Sequence, residues 1–348
     1  MRAGSHMASR VGVPPARGTL VASHRCRSSR APLRCRAEAA QLSRQAGLDK
    51  LGEAISEVQR LPPSQRQEGR AEAAKAARSV LQALTDAKQI ALYDSYTGRT
   101  MRRTIGLGDL KMLGMKNPES IGIPSVRNDA AFLAAVVGGS SILALALGQL
   151  PGQWGFWGQY LGGGISIAVL GVGSVAPGLL ELPIRFFSNV FPDYRDRVAR
   201  HEAAHFLCAY LLGVPVVSYS VDLGAEHTEF FELKLERKLF AGGAGGRLSE
   251  GELDALAVIA MAGIAAEALA FEDVVGQNTD LYDLQKLYGR AAQPLSSNTQ
   301  MSVTRWAVWQ AAIMLRAHDA AFKALVAAMA RGASVPECIG IIETAGAP

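Results

Sequence analysis

The polar and apolar positions of this chain are unevenly distributed, and one long stretch carries no charge. Between Asp129 and Glu181 there is no Asp, Glu, Lys, Arg or His. A membrane-spanning helix needs about 20 apolar residues, so the stretch has room for two. We predict spans near Ala130–Leu150 and Tyr160–Leu180, joined by the uncharged connector Pro151–Gly158, whose aromatic residues are typical of a bilayer interface. The length of the run disfavours the alternative, a buried helix pair of a soluble protein.

The two predicted spans return the chain to the side of the membrane from which it came. Lysine and arginine residues lie on both outer flanks, so the positive-inside bias places the segments before and after the spans in one compartment. Glycines in the second span predict a smooth face that packs closely on the first. These glycines are Gly162, Gly163, Gly164, Gly171 and Gly173.

The segment before the spans has a helical pattern. Apolar residues recur at spacings of three and four from Leu48 to Val58, and again from Val80 to Ile90, with Pro62-Pro63 between the two runs. Residues 43–95 are therefore predicted to form a helical hairpin, packed on itself or docked against a partner. The carboxy-terminal region is also predicted to be helical as far as Gly332, with residues 333–348 as a tail.

The candidate chemistry lies in His201-Glu202-Ala203-Ala204-His205. The surrounding residues from Asp193 to Gly213 predict one helix, and positions four apart on a helix lie on the same face. Both imidazoles can therefore bind one metal ion, while Glu202 lies near enough to accept a proton from an attacking water molecule. The alternative is two histidines without a ligand on an amphipathic helix.

A catalytic zinc ion usually has three protein ligands and one open position. Asp280, which follows the turn from Val275 to Thr279, is the candidate third ligand, and Glu226 is an alternative. A metzincin pattern is excluded because it would need glycine and histidine where Cys208 and Leu211 stand. The expected bound metal is Zn²⁺.

Two strands are predicted beside the metal-binding helix, at Val216–Leu223 and Phe230–Phe240. They either lie in the core or offer an edge to an extended peptide. The glycine-rich run 242–246 lacks the lysine and Ser/Thr of a phosphate-binding loop, so we expect a rim beside the metal site and no nucleotide site. Ser249 and Glu252 form a capping box that opens a helix extending to Leu269.

The net charge of +5 does not indicate a nucleic-acid partner, because the basic excess is concentrated at the amino terminus. Eight arginines precede Glu38, the first acidic residue, and no long apolar core follows them. Residues 1–36 are therefore predicted to be an organelle transit peptide, with a disordered basic tail as the alternative. The stretch from Gly4 to Ser9 also resembles a scar left by an expression vector. The four cysteines lack paired spacing, which disfavours disulfides and thiolate metal sites.

These motifs together carry a resemblance to a known family. The metal-binding pentapeptide with residues 206–212, the block Ala262–Leu269 and the block Gly276–Asp280 resemble the FtsH-type membrane zinc metalloproteases over roughly residues 194–331. The resemblance implies that His201, His205 and Asp280 bind zinc and that Glu202 is the catalytic base. It implies a mostly helical, zincin-like peptidase domain over residues 193–332. With the amino-terminal hairpin, the two transmembrane helices and the small β element predicted above, the expected fold is mainly α.

The chain also departs from that family. Ala204 stands where members usually have glycine, and no ATPase domain separates Glu181 from His201. The chain thus resembles the ATPase-lacking plastid relatives, which implies a membrane-embedded peptidase acting on protein substrates. It implies homo-oligomers, or hetero-oligomers with FtsH-type ATPase-proteases. The expected location is a chloroplast membrane, thylakoid or inner envelope, with the peptidase domain facing the stroma; a mitochondrial membrane fits less well. The alternative function is a catalytically inactive scaffold bound to a full-length FtsH-type protease.

Overall fold

The computed structural model describes residues 43–61, 66–96, 101–123, 125–222, 227–230 and 247–346. These residues are mainly helical, as predicted, with one two-stranded antiparallel sheet. The amino-terminal helices are α1 Arg44–Arg60, α2 Arg66–Asp86 and α3 Leu107–Met112. They are followed by α4 Arg127–Leu147, α5 Gln153–Val175, α6 Glu181–Ser188 and α7 Tyr194–Leu211. The strands are β1 Val216–Ser220 and β2 His227–Phe230. The remaining helices are α8 Glu250–Ala260, α9 Ala262–Ala270, α10 Gln277–Tyr288, α11 Ser297–Ala317, α12 Asp319–Met329 and α13 Val335–Ala345. The predicted transit segment 1–36 lies outside the described residues.

Helices α1 and α2 pack against each other through their apolar stripes. The side-chain oxygen of Ser43 accepts a hydrogen bond from the Ala46 amide at 3.2 Å and so caps the start of α1. Leu51 and Leu84 are fully buried at the contact. Burial of these stripes stabilises α1 and α2, because helices of this length are only marginally stable in water without tertiary packing.

The expectation of a carboxy-terminal tail was wrong for residues 335–345, which form α13. Ser334 and Glu337 make a capping box at its start, and this helix-start signal is present in the sequence. Ile339 and Ile342 are buried, and α13 packs against both α1 and α12. The buried carboxylate of Glu343 accepts hydrogen bonds from the Ala91 and Leu92 amides and the Tyr210 hydroxyl. The carboxy-terminal helix thus joins the amino-terminal hairpin to α7.

Helices α4 and α5 are long and apolar enough to cross a membrane. Their 21 and 23 residues correspond to about 31 and 34 Å, close to the hydrocarbon thickness of a bilayer. The predicted second span was shifted: α5 begins at Gln153, so most of the expected connector forms its first turns. The described link between the two helices is therefore short, from Gly148 to Gly152.

The two apolar helices pack closely, as the glycine pattern predicted, but only some of the glycines contribute. A Cβ atom at Gly162 would lie 2.8 Å from the Ala144 Cα, so only glycine allows this approach. The hydroxyls of Ser140 and Ser166 hydrogen-bond across the pair. Gly163, Gly164 and Gly171 meet no neighbouring atom, because they lie on the other side of α5.

Helix α7 lies at the centre of the remaining fold, packed by α8, α9, α11, α12 and β1. Every residue from His201 to Leu211 is buried. The helix ends as predicted at Gly213, whose φ of +73° is the left-handed conformation that glycine adopts most readily.

The small sheet differs from the prediction in its second strand. β2 begins at His227 and pairs antiparallel with β1, with an irregular register between Val216 and Ser218. Residues 231–240 of the expected strand lie outside the described residues, as do Glu226 and the glycine-rich run 242–246. The helix expected from Ser249 to Leu269 is instead two helices, α8 and α9, bent by 40° at Met261.

Candidate metal centre

His201 and His205 lie one turn apart on α7, with ring centroids 4.8 Å apart. Asp280 lies in the first turn of α10, where a carboxylate is favoured by the helix dipole. Its oxygens lie 3.2 Å from His201 Nε2 and 3.4 Å from His205 Nε2. One ligand atom from each of the three side chains falls within 4.8 Å of the others, and all three residues are buried.

The tautomer of His205 follows from its second hydrogen bond. Its Nδ1 lies 2.8 Å from the carbonyl oxygen of Ile259, which can only accept a hydrogen bond. Because α8 ends at the bend after Ala260, this carbonyl lies in the last helical turn, where carbonyls lack helical partners. Nδ1 therefore carries a proton, and Nε2 is the ring nitrogen that faces Asp280 and that offers a lone pair when the ring is neutral.

His201 is fixed in the same way by a buried carboxylate. Its Nδ1 donates a hydrogen bond to Glu267 Oε1 at 2.8 Å, and Glu267 is almost fully buried. The carboxylate also accepts hydrogen bonds from the Val275 and Gly276 amides and from Arg197. A carboxylate behind a histidine orients the ring and makes its other nitrogen a stronger ligand. Glu267 is thus a positioning residue.

Three lone pairs, two from imidazoles and one from a carboxylate, therefore converge on one buried point. Within the described residues, Asp280 Oδ2 accepts no hydrogen bond although it is buried. Such an arrangement is stable only with a cation between the groups, either a proton or a metal ion. Two imidazole nitrogens and a carboxylate oxygen are a donor set that suits zinc. The residues present fit a metal of this class.

The electrostatics of the metal-free site agree with this geometry. Burial lowers the pKa of His201, but the carboxylates of Asp280 and Glu267 outweigh burial and raise the pKa well above its usual value. The pKa of His205 is raised in the same sense, against burial, by Asp280. Burial alone would raise the pKa of Asp280, yet the two imidazoles hold it far below its usual range. Negative charge from the protein thus favours a cation at this point.

Glu202 lies beside the metal site and is held by the sheet. Thr228 of β2 donates a hydrogen bond from its hydroxyl to Glu202 Oε2 at 2.7 Å. Because Glu202 is buried, its carboxylate has little freedom to rotate. The hydrogen bond from Thr228 to Oε2 therefore also fixes the direction of Oε1. Sequence reasoning identified Glu202 but not Thr228, which lies on a strand that was predicted to start further along the chain.

Two glycines allow the close packing around His201. A Cβ at Gly263 would lie 2.3 Å from His201 Nε2, and one at Gly276 would lie 2.8 Å from Glu267 Oε1. Both glycines, and Glu267, lie in the blocks that carried the family resemblance, but no role had been assigned to them. The sequence contains one signal for two of these residues. Gly263 and Glu267 are four residues apart, which places both on the same face of a helix.

A chain of ion pairs leads from Glu267 to the start of α4, the first of the two candidate membrane-spanning helices. Arg197 is buried and contacts Glu267 at 3.3 Å, Asp193 at 2.6 Å and Asp273 at 2.8 Å. Arg127, the first residue of α4, contacts Asp193 at 3.4 Å and Asp273 at 3.1 Å. His201 is therefore connected to the start of α4 through two arginines and three carboxylates.

The structure brings together the four residues expected from the sequence, His201, Glu202, His205 and Asp280. Their roles as zinc ligands and base stay predictions. The chain was compared with models of protein families, with curated proteins and with solved structures, and none of these matches it.

Proposed function

We propose that this chain is a membrane-anchored, zinc-dependent endopeptidase that hydrolyses peptide bonds of unfolded or membrane proteins. The observation that carries the proposal is the buried convergence of His201, His205 and Asp280, with Glu202 beside it. His201, His205 and Asp280 would hold the zinc ion and leave one coordination position open. The zinc would supply Lewis acidity and activate water at neutral pH.

The proposed role of Glu202 follows from its position. Its carboxylate would accept a proton from the attacking water and then pass that proton to the leaving amine. Thr228 would hold one carboxylate oxygen by hydrogen bonding, so that the other oxygen points toward the reacting water. Glu267 would keep Nε2 of His201 free as a ligand by holding the proton on Nδ1.

The membrane part of the proposal is supported by α4 and α5, which are long and apolar enough to cross a membrane and are nearly unburied within the protein. Together with the resemblance to FtsH-type proteases, this supports a zincin-like peptidase domain held at a membrane surface, with homo- or hetero-oligomers as expected partners. A chloroplast membrane with the domain in the stroma remains our proposed location. Since the chain shows no phosphate-binding motif, we propose that its substrates are unstructured when they reach the site.

The proposal is tested by cleavage of an unstructured protein by the full chain in detergent, without ATP. The test variant is Glu202→Gln, which keeps the size of the side chain but removes its basicity. The matched control is Glu250→Gln, on the exposed first turn of α8. Zinc content is measured for all three proteins, and a chelator-treated sample completes the set.

We expect the wild-type chain and Glu250→Gln to cleave with zinc bound, and Glu202→Gln to bind zinc but lose cleavage by at least about 100-fold. Retained cleavage in Glu202→Gln would contradict the mechanism. Zinc bound by the wild type without any cleavage would instead favour the inactive scaffold that associates with an ATPase-protease.

A further inference from the structure

The segment that joins α5 to α7 carries apolar side chains that the protein does not cover. It comprises a 3-10 turn at Pro177–Leu180, α6, and the turn that follows. Its large exposed apolar side chains, with their exposed fractions, are Leu179 71%, Leu182 60%, Phe186 66% and Val190 72%. Positions 182, 186 and 190 are four apart, which places Leu182 and Phe186 on one side of α6 and continues the stripe beyond it. A contiguous apolar patch of this kind indicates a contact surface.

The opposite side of α6 is fixed to the beginning of α4. The ring of Phe187 packs edge-on against Phe132 at 5.7 Å, and Asn128 donates a hydrogen bond to Ser188 at 2.8 Å. Phe132 lies five residues into α4, about 7.5 Å along its axis from Arg127. Helix α6 is therefore held at the depth of the first two turns of α4.

Charged residues mark the aqueous boundary at the same end. Arg127 lies at the first position of α4 and pairs with Asp193, which directly precedes α7. From Ala130 onward, α4 carries no charge. Helix α6 thus lies between the layer of ion pairs and the part of α4 that carries no charge. An interfacial helix occupies the same position, between water and the hydrocarbon of the bilayer.

The uncovered apolar surface also continues on the chain that enters α4. Ile123 and Val126, just before this helix, are 64% and 67% exposed. Since α4 and α5 run antiparallel, both groups surround the same end of the helix pair. A lipid leaflet contacts apolar side chains all around this end of the helix pair, at one depth in the membrane. A protein partner would not require that distribution.

We propose that α6 and its flanking turns form an in-plane membrane contact whose partner is the lipid surface. The inference rests on the proposed crossing of a bilayer by α4 and α5. Short amphipathic helices of this type insert their apolar face about 5–10 Å into the boundary between headgroups and acyl chains. Because α7 starts six residues after α6 ends, this contact holds the metal-bearing helix at a fixed height above the bilayer.

The test measures the lipid exposure of single labelled positions on the full chain, reconstituted in nanodiscs of zwitterionic and anionic phospholipid. Cys26 and Cys35 are replaced by serine. Cys208 and Cys338 stay unlabelled at neutral pH, because both are buried and burial raises the pKa of the Cys338 thiol to about 11. A cysteine labelled with an environment-sensitive fluorophore is then placed in turn at Leu182, Phe186, Leu145 or Met301.

Leu145 and Met301 serve as the two controls. Leu145 is exposed in the last turn of α4, inside the predicted span Ala130–Leu150, and Met301 is an exposed apolar residue on α11. We expect lipids with a quencher near the headgroup to quench the labels at positions 182 and 186 at least about threefold more than the label at 301. The label at 145 should be quenched by lipids that carry the quencher on their acyl chains.

Labels at 182 and 186 that are as water-exposed as the label at 301, with 145 in lipid, would overturn the inference while membrane anchoring stands. A label at 145 in water would overturn both. Blue-shifted labels at 182 and 186 without lipid quenching, together with energy transfer between copies, would show that a second chain covers the patch instead of lipid. None of these readouts depends on peptidase activity, so they separate this inference from the proposed reaction.

Discussion

Replacement of Gly263 by alanine should damage the metal site while leaving the fold intact. Gly263 is the second residue of α9, and its Cα faces the ring of His201. An added Cβ would lie 2.3 Å from Nε2, 2.4 Å from Cε1 and 2.5 Å from Cδ2 of that ring. All three contacts are far below the separation of about 3.5 Å at which non-bonded atoms attract each other.

The size of the effect follows from these distances. To restore ordinary contact, Nε2 must retreat by about 1.2 Å, whereas metal–ligand distances vary by only about 0.2 Å. We therefore expect zinc affinity to fall at least about 100-fold. Overpacking costs about 1–3 kcal/mol, but alanine favours a helix by about 1 kcal/mol over glycine, so the net loss of stability is small.

The assay is competition for zinc with a chromophoric chelator, combined with urea unfolding of the metal-free protein. The matched control is Gly251→Ala in the first turn of α8, where an added Cβ meets no atom within 4 Å. This control should bind zinc like the wild type. Wild-type zinc affinity in Gly263→Ala would refute the prediction, because the ring of His201 would then tolerate the contact or would not hold the metal.

Three further predictions address other parts of the structure. Glu267→Gln should weaken zinc binding by about 10–100-fold and reduce stability by about 1–3 kcal/mol, since the buried Arg197 loses one carboxylate partner and keeps Asp193 and Asp273; chelator competition and urea unfolding measure the two effects. The raised pKa of His201 means that the metal-free protein is stabilised by protonation below about pH 6.5 and loses that stabilisation as pH rises through the raised value. Protons should therefore compete with zinc already above about pH 6.5, and a zinc-binding titration with a midpoint below that value would contradict this. Tyr210→Phe should cost about 1.5–3 kcal/mol in urea unfolding with an unchanged m-value, because the hydroxyl donates to the buried carboxylate of Glu343; a cost near zero would show that this hydrogen bond contributes nothing.

The features predicted correctly from sequence depend on local periodicity. The spacing of His201 and His205 is one helical turn, and the end of their helix is determined by Gly213, so neither requires knowledge of distant residues. The charge-free run after Asp129 predicted two apolar helices from composition alone. The first ended three residues before its predicted end at Leu150, and the second began seven residues before Tyr160.

The features that were missed depend on contacts between distant segments. Glu267 lies 66 residues after His201, and only the packing of α9 on α7 brings the two together. Arg197 received no role from the sequence, because two of its carboxylate partners, Glu267 and Asp273, lie 70 and 76 residues further along the chain. Helix α13, which was predicted to be a tail, packs partly on the preceding helix α12 and partly on α1, at the other end of the sequence.

The ion pairs around Arg197 link the candidate metal site to the start of α4. The side chain of Arg197 is 6% exposed and that of Arg127 is 29% exposed. Water therefore screens the ion pairs of Arg197 less than those of Arg127. Asp193 and Asp273 each contact both arginines, so a shift of the start of α4 would change the partners that remain for Arg197. Since Arg197 in turn contacts the carboxylate that orients His201, the position of α4 constrains the orientation of a ring of the candidate metal site.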